Sequence, residues 1–218
     1  MMEAKKLKQI LADHKKWLKG EGGKRADLRG ANLRYADLSS ANLRKANLKG
    51  ADLQNANLQN ANLRGANLEG VNLMRANLEG VNLIRADLER ADLWGTYLEG
   101  ADLIRADLEG ADFRCADLRN ANLRKANLKG ADLERADLWG TYLEGADLRC
   151  VDFYSADLRC ADLRNADLTD AGLCFANLRG ANLEDADFEG ADFEGADLEG
   201  AYLRGANLRG ADLRGTIF

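Results

Sequence analysis

The residue types that most often carry chemistry are scarce in this 218-residue chain: one histidine, His14, and four cysteines, Cys115, Cys150, Cys160 and Cys174. A histidine can serve as general base or metal ligand, but His14 has no sequence-level partner for catalysis and reads as structural. The cysteines show no CxxC spacing of the kind that holds zinc or exchanges disulfides, and no pair among them is 20 or 40 residues apart. Reduced thiols in a cytoplasmic protein fit this pattern. Carboxylates are plentiful, with Asp and Glu together numbering 36. Acid–base work, however, requires one of them in a desolvated pocket with a shifted pKa. The sequence has neither a P-loop nor a GxGxxG turn. No catalytic residue, metal ligand or cofactor is therefore expected, and the chain does not read as an enzyme.

The elements that must position these residues follow from a repeat. Residues 26–215 form 38 consecutive repeats of five, and Thr216-Ile217-Phe218 begins another. The first position is Ala in 33 repeats, the second Asp or Asn in 34, the third Leu in 34 and Phe in the other four, and the fifth Gly in 18. A small and a large apolar residue held two apart is the pattern of a half-buried extended segment. A helix cannot use a five-residue period, because its apolar face would drift around the 3.6-residue turn. Gly or Asn at the fifth position suits a tight corner. Short strands joined by corners make a solenoid, in which each coil buries its interior only by stacking on its neighbours.

The stretch ADLEGADFRCADLRNANLRKANLKGADL, residues 106–133, resembles the A-(D/N)-L-x-x motif of the pentapeptide-repeat family, and the resemblance covers 193 of the 218 residues. It implies an all-β solenoid: a right-handed quadrilateral parallel β-helix with four repeats, hence 20 residues, per coil. The first-position Ala and third-position Leu or Phe would point inward and the other three positions outward. Nine to ten coils stacked about 4.8 Å apart would give a rod roughly 45 Å long. Burial at about 2 kcal/mol per Leu or Phe would offset its thin cross-section.

Residues 1–25 read as a separate N-terminal cap and linker, and 26–218 as the β-helix. Leu7, Ile10, Leu11, His14, Trp17 and Leu18 share one helical face, and Gly20, Gly22 and Gly23 end the helix. Such a helix would cover an open strand edge. At the other end, Ile217 and Phe218 are candidates for self-association as a homodimer. No apolar run approaches the roughly 20 residues of a membrane span, and no membrane role is expected.

With 20 residues per coil, each face can be assigned its charges. The faces are designated by their first central residue. The Leu28 face has 6 Lys/Arg against 11 Asp/Glu, the Leu33 face 5 against 9, the Leu38 face 3 against 8, and the Leu43 face 9 against 5. Three sides are acidic and one is basic. The resemblance offers a use for acidic sides, since some family members mimic B-DNA and bind DNA gyrase. Glu69, Glu89 and Glu109 would form the corresponding ladder here, with a type II topoisomerase as the partner. Against this, the repeats contain no inserted loop, no dimerising C-terminal helix follows them, and the fourth face has the wrong sign. The Leu43 face could track an anion, but nucleic acid is not the expected partner of a net-negative domain whose basic face lacks Trp.

Met74 and Trp94 stack at outward positions of the Leu33 face, and Ile84 and Ile104 stack likewise on the opposite face. Clustered outward apolar side chains mark a protein-binding surface. The leading expectation is a non-enzymatic structural or protein-binding scaffold that uses Met74 and Trp94, with the topoisomerase binder as the alternative.

Overall fold

The computed structural model describes residues 2–218. From Asp27 onward, the second residue of each repeat forms a parallel bridge to the residue 20 positions later, from Asp27–Asn47 through to Asp197–Ile217. One coil is therefore four repeats, and the chain winds as a right-handed four-sided β-helix.

Three backbone hydrogen bonds build each corner. Ala31 N–H closes the turn on the Leu28 carbonyl at 3.1 Å, while Leu28 and Gly30 N–H donate to the carbonyls of Asn47 and Lys49 on the next coil at 2.7 and 2.9 Å. All 38 fifth positions lie in the left-handed region, with φ between 54° and 75°, including 20 that are not glycine. The second residue locks the same corner from outside: its side-chain oxygen accepts the N–H of the fourth residue, as in Asn67 Oδ1 with Glu69 N–H at 3.2 Å. Asp and Asn do this equally well, which explains the second position in local terms.

First-position Ala and third-position Leu or Phe form one continuous buried column through most of the rod. Phe188 and Phe193 meet with ring centroids 5.1 Å apart. Thr96 and Thr141 are buried where Ala is usual, and each hydroxyl is satisfied by a carbonyl, of Leu93 at 2.7 Å and Leu118 at 2.9 Å.

A single helix, α1 (Ala4–Lys19), lies across the first coil. It stops at Gly20 in the left-handed conformation, whose N–H and that of Glu21 satisfy the Trp17 and Lys16 carbonyls. Leu7, Ile10 and Leu11 pack on the core, and Met2 N–H donates to the Asn32 carbonyl at 2.8 Å. His14 is fully buried: its Nδ1 accepts the Ala26 N–H at 3.0 Å, and its ring stacks on Trp17 at 5.5 Å. A Cβ on Gly23 would run into the Asp13 carbonyl, so the linker has to be glycine where it passes under α1.

Candidate functional site

Because every interior position is filled, any chemistry must take place on the faces. Met74 and Trp94 occupy the same outward column on adjacent coils of the Leu33 face, flanked by Gln54, Asp92, Asp112 and Arg114. They are less exposed than their outward positions suggest. Both are half-buried, because the Arg75 guanidinium lies 4.7 Å over the Trp94 ring and Gln54 reaches the Met74 sulfur. Burial pushes the neighbouring Asp92 carboxyl above the usual carboxylate range, the Trp94 N–H opposes this, and the charge of Asp112 adds to it.

Sequence reasoning missed a second apolar cluster on this face. Tyr154 and Phe175 meet edge to face at 5.7 Å, and Phe175 stands 54% exposed although its backbone is left-handed. Next to them Gly172, in a position otherwise held by Asp, Asn or Tyr, leaves a notch bordered by Cys150, Tyr154 and Cys174. The two aromatics are 21 residues apart, the fourth position of one repeat against the fifth of a repeat on the next coil. Stacking by twenties overlooks that diagonal.

Glu69, Glu89 and Glu109 fall in one column of the Leu28 face, but the column is not a free anionic stripe. Lys49 Nζ sits 2.6 Å from Glu69 and Arg90 Nε 3.5 Å from Glu89, while Glu109 accepts a hydrogen bond from Asn127 at 3.3 Å. Elsewhere arginines fork onto the aspartate two residues earlier, as in Arg119 with Asp117 and Arg164 with Asp162. The guanidinium holds both aspartates below the usual carboxylate range. Among the described residues, Asp192, Glu194 and Asp212 lie close enough together for a cation, and Arg214 already pairs with two of the three.

The four cysteines are free thiols. Burial, followed by a hydrogen bond to Asp192, pushes the Cys174 thiol up to about 11, so it is not a thiolate nucleophile at neutral pH. Ile217 and Phe218 are exposed on the last coil. No helix among the described residues is long and apolar enough to cross a membrane.

A family model described as pentapeptide repeats matches in eight copies over residues 24–218. Among solved structures, HetL, a pentapeptide repeat protein involved in heterocyst differentiation regulation in the cyanobacterium Nostoc sp. strain PCC 7120, is 33% identical. That match covers 99% of this chain and 97% of HetL with a TM-score of 0.84. A pentapeptide repeat protein of the Arabidopsis thaliana thylakoid lumen is 38% identical over 44% of this chain and 68% of its own, with a TM-score of 0.44. QnrB1, a plasmid-mediated fluoroquinolone resistance protein, is 22% identical over 70% of this chain and 82% of its own, with a TM-score of 0.33. The last two superpose only locally, and nothing about function rests on them. No curated protein matches the chain.

Proposed function

The chain belongs to the pentapeptide-repeat family, and from that premise we propose that it is a non-enzymatic protein-binding scaffold, acting in the cytoplasm, that presents partner-binding side chains on a rigid rod. The observation that carries this is the Met74–Trp94 surface. Two large apolar side chains on adjacent coils form a centre, and Arg75, Asp92, Asp112 and Arg114 form a charged rim, the anatomy of a binding hot spot. Tyr154 and Phe175, three coils further along the same face, extend that surface. The full-length likeness to HetL, a protein involved in regulation, supports a role exerted through contacts rather than turnover.

The alternative is a DNA-mimicking binder of a type II topoisomerase through Glu69, Glu89 and Glu109. Their regular stacking favours it, and the cations on Glu69 and Glu89 weigh against it.

One comparison separates the two readings. The immobilised protein, a Trp94→Ala variant and a Glu69/Glu89/Glu109→Lys variant are each used to retain partners from a cell extract at low and high salt, alongside a gyrase supercoiling assay. The scaffold reading expects retention that survives high salt, persists in the triple variant and is lost with Trp94→Ala. Salt-sensitive inhibition of supercoiling that disappears in the triple variant would instead establish the topoisomerase reading.

A further inference from the structure

The arginines of the repeats are not equally neutralised. Of the 19 in residues 26–218, 14 lie within 4.0 Å of a carboxylate. Arg75 has an aromatic partner in Trp94. The remaining four are Arg44, Arg64, Arg85 and Arg105, and all four lie on the Leu43 face, where Lys45 and Lys125 also find no carboxylate among the described residues.

The cause is local. Elsewhere a fourth-position arginine forks onto the aspartate two residues before it. On this face those positions are Asn42, Asn62, Asn82 and Asn122. They still accept the turn N–H, as Asn62 Oδ1 does from Arg64 at 3.2 Å, but they carry no charge to compensate the guanidinium. The one acid in the stretch, Asp102, turns its Oδ1 to the Ile104 N–H at 3.3 Å. The strip has definite ends. Glu144 closes it by pairing with Arg124 at 3.4 Å, and at the other end Lys15 on α1 lines a groove with Leu11 and Leu18 against Asn42. Between the ends the strip crosses five coils, about 19 Å at the usual strand spacing.

Its centre is apolar. Ile84 and Ile104 sit in the column otherwise occupied by Arg44, Arg64 and Arg124, and they floor a groove walled by Arg85 and Arg105. An isoleucine floor offers nothing for bases to stack on, and its half-buried side chains cannot insert into a bilayer. It does fit a short aliphatic stretch flanked by carboxylates. We propose that the Leu43 face between Arg44 and Lys125 is a docking strip for an extended acidic polypeptide segment whose aliphatic residues seat on Ile84 and Ile104. This strip lies on the side of the rod opposite Met74 and Trp94, so it stands or falls independently of the scaffold surface.

The test is fluorescence anisotropy with three labelled probes of similar length: an acidic peptide with two central leucines, the same peptide with serines in their place, and oligo(dT). Vesicles containing phosphatidylserine serve as a fourth. The leucine peptide is expected to bind at least tenfold tighter than the serine peptide and oligo(dT), and to weaken as salt rises. Arg64→Glu/Arg85→Glu should abolish binding, and Ile84→Asn/Ile104→Asn should reduce it to the level of the serine peptide. Arg209→Glu, on another face, and Trp94→Ala should leave it unchanged. All these positions point outward, and unchanged thermal unfolding checks that each variant folds. Equal binding of both peptides, preference for oligo(dT) or vesicles, or no binding at 100 µM would each overturn the proposal.

Discussion

At the scale of single residues, the fifth position of each repeat carries the backbone cost of the fold. Every one is left-handed, a conformation that costs a residue with a Cβ roughly 1–2 kcal/mol. Gly100 and Gly195 separate that cost from crowding. A Cβ on Gly100 meets nothing within 4 Å, whereas one on Gly195 comes 2.7 Å from the Phe175 ring. Gly100→Ala should therefore lose about 1 kcal/mol in denaturant unfolding, the backbone penalty alone. Gly195→Ala should lose more, and combining it with Phe175→Ala should recover the excess. A double-mutant cycle with no coupling would show that the Phe175 ring moves aside freely. The same glycines were legible as corner residues from their period alone. What the period could not show is that Phe175 leans over Gly195, because that contact crosses between coils.

At the scale of elements, α1 and the first coil are joined through a titrating group. Burial holds the His14 imidazole below its ordinary value of 6.5, and the Arg25 charge adds to this while the Arg44 carbonyl opposes it. In the folded chain Nδ1 must stay unprotonated to accept the Ala26 N–H. The unfolded chain takes up a proton as pH falls through 6.5 and the folded chain resists, so the helix contact is fully present above that value and weakens progressively below it. Protection of the Ala26 amide against hydrogen exchange should fall between pH 7.5 and pH 5. A His14→Gln variant, which keeps an acceptor but cannot charge, should remove the dependence; an identical pH profile in that variant would rule out His14 as the cause. That His14 is structural could be read from its place on an apolar helical face. Its partner could not, because Ala26 is twelve residues away and reaches it only through the Gly22–Gly23 linker folding back under α1.

At the scale of the whole molecule, the rod is a stack in which each coil touches only its neighbours, so its properties vary along its length and around its sides. On the last coil the amides of Leu203, Leu208 and Leu213 find no backbone acceptor among the described residues, and Ile217 and Phe218 are exposed beside them. An edge with free donors and apolar side chains favours pairing with another strand. Light scattering should give a dimer mass for the full chain and a monomer mass after deletion of residues 216–218; an unchanged mass would exclude this edge as the contact. Around the sides, the acidic excess on three faces is largely neutralised by forked arginines, while the smaller basic excess on the fourth is not. Net charge per face therefore misleads about which face has charge to offer a partner.

The sequence by itself determined which residues point in, which point out and how many make a coil. Those features follow from a five-residue period and a corner closed by bonds between neighbours in the chain, and local chemistry repeated 38 times leaves no alternative winding. Only the tertiary structure decided how the outward side chains meet. Trp94 half-buried beneath Arg75, Tyr154 against Phe175, Lys49 neutralising Glu69, and Arg44, Arg64, Arg85 and Arg105 left without partners all depend on contacts between coils. Long side chains choose among several neighbours there, and the period sets the distance between coils but not the choice.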